Sequence, residues 1–170
     1  MGADPQQEQS HGLTGPNILV VDDDDIARLY IADSLRREGY QVTEAGDGST
    51  ALKLAQDRPP SVAFVDLSMP GMNGFEVVAE LKRAFGLALH TTVLSASDDI
   101  ESRVRAFDAG ADDFVQKPAQ PIEIVRRLEA ATRNQSEYQT VTMALEQADA
   151  LRTYAAEAAA LVAHDINNGL

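Results

Sequence analysis

Five polar side chains that could bind an ion or take part in a reaction lie at the ends of short apolar segments of the sequence: Asp22, Asp23, Asp66, Ser95 and Lys117. Three carboxylates that repel one another are well suited to holding a divalent cation. With only oxygen ligands, the expected ion is Mg²⁺ or Mn²⁺. A lysine ammonium and a serine hydroxyl beside such an ion would neutralise charge on a transferring phosphoryl group, which is most of what phosphoryl transfer requires.

The segments that carry these residues predict an α/β fold. Short apolar runs alternate with five helical patterns, and the predicted strands cover residues 17–21, 41–45, 62–66, 91–94 and 114–115. Such alternation is typical of a parallel sheet covered by helices on both faces. Because ligands bind at the carboxyl ends of the strands in open α/β sheets, the five polar side chains are expected at one edge.

The helical patterns also predict which side chains face the core. On the first helix, capped by Asp24 or Asp25 and ended by Gly39, the predicted apolar stripe is Ile26, Leu29, Tyr30, Ala32 and Leu35. On the fourth helix, Ile100, Val104 and Phe107 are predicted to point inward. The alternative for the acidic run, residues 22–25, is that it serves only as a helix cap, but one or two acids would be enough for that.

Composition limits the function classes. The 170 residues include 27 acids and 14 bases, for a formal net charge of -13, and no cysteine. Thiol catalysis and disulfides are therefore excluded, and direct binding of nucleic acid or of an anionic membrane is disfavoured. No apolar run approaches a membrane span, so a cytoplasmic protein is expected. Residues 1–16 are polar and are expected to form a disordered leader.

Four motifs resemble the receiver domains of two-component response regulators: residues 18–23 (ILVVDD), residues 65–74 (VDLSMPGMNG), Ser95-Ala96 and Lys117-Pro118. They occur in the order and approximate spacing of that family. The resemblance covers about residues 16–133, so the predicted receiver domain is 17–133. It implies a five-stranded, parallel, doubly wound (flavodoxin-like) fold.

The resemblance also implies roles for individual residues. Asp66 would be the phosphoacceptor, receiving its phosphoryl group from a phosphodonor histidine kinase or a phosphotransfer protein. Asp23, Asp66 and the Ser68 backbone carbonyl would bind Mg²⁺ directly, with Asp22 acting mostly through water. Ser95 and Lys117 would contact the phosphoryl oxygens, Ser95 and Phe114 would form the switch pair, and the Lys117-Pro118 peptide bond would be cis.

Beyond the predicted receiver, the helical pattern continues into residues 134–170, the predicted coiled-coil segment, and no Pro or Gly interrupts the chain from Ile122 to Asn168. Apolar residues recur at positions 138, 141, 145 and 148, and again at 151, 155, 158 and 162 after a phase change. A helix of roughly 45 residues would be near 70 Å long, and such a helix is unstable without a partner. The pattern predicts a coiled-coil homodimer; the alternative is a helix folded back on its own domain.

The end of this helix resembles the phosphoacceptor box of sensor histidine kinases. In that reading His164 is the phosphorylated imidazole, Asp165 the neighbouring acid/base helper and Asn168 a water-positioning amide. No ATP-binding kinase pattern is present in the sequence. The expectation is a receiver joined to the truncated start of a histidine-kinase dimerisation helix.

Two other function classes remain open. One is a dimeric adaptor with an intact pocket that is never phosphorylated. The other is a hydrolase that uses Asp66 as its nucleophile, as haloacid-dehalogenase-like phosphatases do. Those enzymes carry an Asp-x-Asp pattern on the first strand. Here the residue two positions after Asp66 is Ser68, and the acidic pair lies on another strand, which disfavours this class.

Overall fold

The computed structural model describes residues 16–168, with side chains described through 161 and at 163. The strands are β1 (Asn17–Val21), β2 (Gln41–Ala45), β3 (Val62–Asp66), β4 (His90–Ser95) and β5 (Asp113–Gln116). The helices are α1 (Asp25–Arg37), α2 (Gly48–Asp57), α3 (Gly74–Phe85), α4 (Ile100–Asp108) and α5 (Pro121–Asn168), with a short 3-10 turn at Gly86–Ala88. The predicted leader lies outside the described residues, except for Pro16.

All five strands pair in parallel in the order β2-β1-β3-β4-β5. The predicted fold class, a five-stranded parallel sheet with helices and a long C-terminal helix, is confirmed. The central strand β3 is buried along its whole length, as its uninterrupted apolar sequence requires. The order reverses at β1 and β3, so the two strands that end in carboxylates are neighbours.

The chain forms two compact units, one ending at Thr132 and the other beginning at Arg133. The first unit has a hydrophobic cluster on each face of the sheet, one around Leu19 and Val65 and the other around Val20 and Phe64. The described part of the chain contains no helix that is both long and apolar enough to traverse a bilayer.

The predicted stripe on α1 was partly wrong. Ile26 is 81% exposed, and Leu29 and Tyr30 are also exposed, whereas Ile31, Ala32 and Leu35 are buried. Residues 28, 31, 32 and 35 share one helix face, and the first of these is Arg28, whose side chain is only 15% exposed. A polar residue therefore begins the buried face, and an apolar pattern cannot detect it.

The prediction for α4 was wrong. Ile100 is 79% exposed, Val104 and Phe107 are exposed, and Ala106 is the buried residue of this helix. Two arginines on α4 contact aromatic rings of the first unit: the Arg103 guanidinium carbon lies 5.0 Å from the centroid of Phe114 and that of Arg105 lies 4.4 Å from Phe75. Cation-π contacts thus take the place of the predicted apolar packing.

Thr92 has an unsatisfied hydroxyl in the centre of β4. Its Oγ1 is buried and makes no hydrogen bond, which normally costs about 1 to 3 kcal/mol. We expect Thr92→Val to raise the free energy of unfolding by about 1 kcal/mol in urea denaturation. Thr91→Val is the matched control and should destabilise, because the Thr91 hydroxyl contacts Asp112 Oδ2 at 3.2 Å. A Thr92 variant no more stable than the native chain would contradict this prediction.

His90, at the opposite end of β4 from Ser95, makes stability depend on pH. Burial and the Lys82 ammonium lower the pKa of His90 below 6.5, although Asp112 and Asp113 oppose the shift. Between this lowered value and 6.5 the unfolded chain binds more protons, so the free energy of unfolding should fall as the pH falls through that range. We expect His90→Gln to flatten this dependence in urea denaturation at about pH 7.5 and about pH 5.5. Equal slopes for the two proteins would contradict this assignment.

Candidate functional site

The acidic residues meet where β1 and β3 end. Val21 pairs with Val65 in the sheet, so the next residues, Asp22 and Asp66, emerge side by side. Asp22 is fully buried and Asp66 is 4% exposed. Together with the exposed Asp23, they offer carboxylate oxygens that all lie within 4.8 Å of one another. The predicted convergence of these three carboxylates is therefore observed.

The four consecutive aspartates have separate tasks. Asp22 and Asp23 belong, with Asp66, to the carboxylate cluster. Asp24 instead caps α1 by accepting hydrogen bonds from the backbone N–H groups of residues 26 and 27, at 2.9 and 3.2 Å. Asp25 forms an ion pair with Arg28. The capping explanation thus accounts for one acid of the run, and two acids remain available to the cluster.

Arg28 is the site residue that sequence reasoning missed. Its guanidinium donates a 2.7 Å hydrogen bond to the Asp22 backbone carbonyl, and its Nε lies 3.5 Å from Glu44 on β2. It therefore holds the loop that carries Asp22 and offsets part of the local negative charge. Its position one turn before Ile31 and Ala32 on the buried face was the available signal.

Lys117 reaches the cluster from the end of β5. Its Nζ lies 2.6 Å from Asp22 Oδ2 and 2.8 Å from Asp66 Oδ1, so one ammonium bridges the two buried carboxylates. The Lys117-Pro118 peptide bond is cis, as the resemblance implied. The backbone N–H of Lys117 also donates to the Ser95 carbonyl at 2.7 Å, which joins the ends of β4 and β5.

The pKa shifts of Asp66 and Lys117 follow from their burial and from the contact between them. Burial raises the pKa of Asp66, and the hydrogen bond from Lys117 offsets this only in part, while the nearby Asp22 charge raises it further. Burial would lower the pKa of Lys117, but its hydrogen bonds to Asp22 and Asp66 outweigh burial and leave it raised. One ammonium therefore compensates incompletely for the carboxylates around it, and a further cation would be stabilised here.

Ser95 is buried at the end of β4. Its Oγ accepts a 3.1 Å hydrogen bond from the Ser97 N–H, and the Ser97 hydroxyl pairs with Asp99, the N-cap of α4. Phe114, the other residue of the predicted switch pair, is buried on β5 beneath Arg103. Both predicted switch residues thus contact α4 or the loop that leads into it.

The loop after Asp66 is shaped by a close backbone approach. The Ser68 N–H donates to Asp66 Oδ2 at 3.1 Å, and Asn73 caps α3 in a reciprocal capping box with Glu76. A Cβ at Gly74 would lie 2.1 Å from the Asp66 carbonyl oxygen and 2.6 Å from Leu67 Cα. Glycine is therefore required at this position.

The second set of predicted site residues is in the other unit. His164, Asp165 and Asn168 belong to the last turns of α5, and their side chains lie outside the described residues.

The donor set fits a hard divalent cation. Three carboxylates within reach of one another supply only oxygen ligands, the chemistry that Mg²⁺ and Mn²⁺ prefer. Asp22, Asp23 and Asp66 are the residues that would hold such an ion.

Comparison with known proteins identifies related chains. Residues 18–129 match the model of the response regulator receiver domain. The probable transcriptional regulatory protein TcrX of Mycobacterium tuberculosis is 39% identical over 116 residues, which cover 68% of this chain and 49% of the relative. PrrA of Mycobacterium bovis is 38% identical over 122 residues, which cover 72% of this chain and 52% of the relative. The chain thus spans about half the length of these curated relatives.

Solved structures resemble the first unit. A response regulator from Chloroflexus aurantiacus is 31% identical with a TM-score of 0.64, covering 68% of this chain and 96% of that chain. A CheY-like receiver from Methanospirillum hungatei, 24% identical, shares the fold with a TM-score of 0.69, covering 72% and 98% of the two chains. Because the family model matches more than half of the chain and a curated relative is 39% identical, the chain belongs to the response regulator receiver domain family.

Proposed function

We propose that the first unit accepts a phosphoryl group on Asp66, donated by the phosphohistidine of a histidine kinase or phosphotransfer protein, and acts in cytoplasmic two-component signalling. The observation that carries this proposal is the placement of the Asp66 carboxylate. It is 4% exposed, lies 2.8 Å from Lys117 Nζ and is within reach of two further carboxylates.

The proposed step is an in-line displacement. An Asp66 carboxylate oxygen forms the new bond to phosphorus while the bond from phosphorus to the donor nitrogen breaks and its electron pair stays on the imidazole. Lys117 and the Ser95 hydroxyl would contact the phosphoryl oxygens, and Phe114 would respond to the movement of Ser95. Mg²⁺ held by Asp22, Asp23, Asp66 and the Ser68 carbonyl would neutralise charge on the phosphoryl group.

The test is intact-mass spectrometry after incubation with acetyl phosphate and Mg²⁺. We expect one added phosphoryl group, and no adduct when EDTA removes the metal before and during the incubation. A folded protein that gains no adduct with Mg²⁺ or Mn²⁺ would refute phosphoryl acceptance and favour the non-phosphorylated adaptor.

We also propose that the helix beyond Thr132 forms a homodimer. In this unit the side chains of Tyr138, Val141, Leu145 and Leu151 are all exposed in the single chain. Because most helical stability in proteins comes from packing of an apolar face, a second copy would stabilise this helix. We expect multi-angle light scattering to give twice the chain mass. A monomer at all concentrations would refute the homodimer.

We propose two candidates for what the receiver regulates: a histidine kinase or transcription. The histidine-kinase reading, with His164 as phosphoacceptor, is supported by the sequence of the last turns of α5. The names of the relatives favour a different output, since TcrX and PrrA are transcriptional regulatory proteins. A base-stable, acid-labile phosphoryl label that is lost in His164→Ala but not in Asp66→Asn would support the kinase reading. Its absence after incubation with a phosphorylating kinase would favour the transcriptional output.

A further inference from the structure

The second unit has an apolar stripe that changes direction along the helix. Upstream, the stripe residues are spaced by three, four and three positions: Tyr138, Val141, Leu145 and Ala148. Downstream, the spacing is four, three and four: Leu151, Ala155, Ala158 and Val162. Between the two sets, Ala148 and Leu151 are only three residues apart, so two spacings of three follow each other.

A straight α-helix converts this break into a rotation. At about 100° per residue, the centre of the downstream stripe lies about 90° around the helix from the centre of the upstream stripe. The backbone does not compensate, because Pro121–Asn168 is one uninterrupted α-helix. The two halves therefore present their apolar stripes in different directions.

A second copy of the chain is the occupant that suits both halves. None of the eight stripe residues carries a charge, so an in-register parallel copy brings only uncharged side chains together. By residue type alone, the eight stripe residues carry on the order of 600 Å² of apolar side-chain surface per copy, which is about the lower limit for each partner of a stable interface. The described part of this unit contains no other element that covers them.

Arg152 explains why the upstream seam does not simply continue. The next seam position after Ala148 in an unbroken seven-residue repeat would be 152, where two arginines would face each other across the interface. The Arg152 side chain is 86% exposed, and burying two like charges is unfavourable. Leu151, one residue earlier and 69% exposed, is the apolar alternative.

From these observations we propose that two copies pair in parallel through a seam that turns between Ala148 and Leu151, with Leu145 facing its copy upstream and Leu151 facing its copy downstream. This inference rests on the proposed homodimer. Spacings of this kind overwind a coiled coil locally, so the seam has a defined break between its halves.

Cysteine cross-linking tests the seam, since the chain contains no cysteine of its own. Leu145→Cys and Leu151→Cys should oxidise to covalent dimers, with Ala148→Cys as a position shared by both seams. Ala144→Cys and Arg152→Cys probe where the seam of the other half would run. Because a disulfide requires Cβ atoms within about 4.5 Å, we expect at least about fivefold more cross-linking at 145 and 151 than at 144 and 152.

The outcomes separate the inference from the proposed homodimer. Strong cross-linking at 145, 148 and 152 but not at 151 would show an unbroken seam and overturn the inference while the dimer stands. Dimers by light scattering without cross-linking at any of the five positions would overturn the parallel seam. Monomers by light scattering for the native chain would refute the homodimer and, with it, this inference.

Discussion

Asp66→Asn should abolish phosphoryl uptake from acetyl phosphate, with a fall on the order of 10³-fold or more, as expected when a covalent nucleophile is removed. Asparagine preserves the size of the side chain but offers no carboxylate oxygen to attack phosphorus. The change also removes one of the mutually repelling carboxylates, so the variant should remain folded. Its mass should not change after incubation. Intact-mass spectrometry measures both the extent and the rate of uptake.

The matched control is Asp25→Asn in the acidic run. It removes the same charge three residues from Asp22, but Asp25 is exposed and pairs with Arg28 rather than with the cluster. This variant should take up one phosphoryl group at close to the native rate. Persistent uptake by Asp66→Asn would place the phosphoryl group on another residue and refute the assigned acceptor.

Gly74→Ala should destabilise the first unit by about 3 to 5 kcal/mol, at the upper end of single-residue effects. The added methyl group would lie 2.1 Å from the Asp66 carbonyl oxygen and 2.6 Å from Leu67 Cα. These are backbone atoms at the end of a central strand, so they cannot rotate away as a flexible side chain could. Relief requires moving either α3 or the segment that carries the acceptor, and urea denaturation measures the cost.

Gly39→Ala provides the control for the loss of glycine itself. Gly39 has a φ of 89° but no atom within 4 Å of a Cβ, so its replacement should cost only about 1 to 2 kcal/mol of left-handed backbone strain. If Gly74→Ala costs no more than Gly39→Ala, the close approach does not constrain the loop. A large cost at Gly74 together with slowed phosphoryl uptake would link the backbone contact to the geometry of the site.

The order of the elements and the positions of the site residues were predictable from the sequence. Buried parallel strands read as unbroken apolar runs, and β3 was recognisable because residues 62–65 are all apolar and end at Asp66. Parallel pairing then places all strand ends at one edge, so the convergence of Asp22, Asp23, Asp66 and Lys117 followed from topology. The fold and this cluster could therefore be predicted from local sequence patterns and one rule of sheet geometry.

The buried faces of the helices could not be predicted in the same way. On α1 the apolar residues Ile26 and Leu29 are exposed, while Arg28 is largely buried because its guanidinium contacts the Asp22 carbonyl and Glu44. On α4, Arg103 and Arg105 contact aromatic rings, whereas the apolar side chains that were predicted to point inward are exposed. Periodicity describes average hydrophobicity along one segment and does not identify which polar side chain finds a partner elsewhere.

The sequence by itself thus determined the alternation of strands and helices and the edge of the sheet at which the acidic residues meet. Only the tertiary structure decided how the four aspartates divide their tasks, that Lys117 bridges Asp22 and Asp66, that Thr92 keeps an unpaired hydroxyl and that Gly74 must lack a side chain. The physical reason is distance along the chain: the Lys117–Asp22 contact joins residues 95 positions apart. Local propensity does not specify such contacts, which arise when the sheet brings its strand ends together.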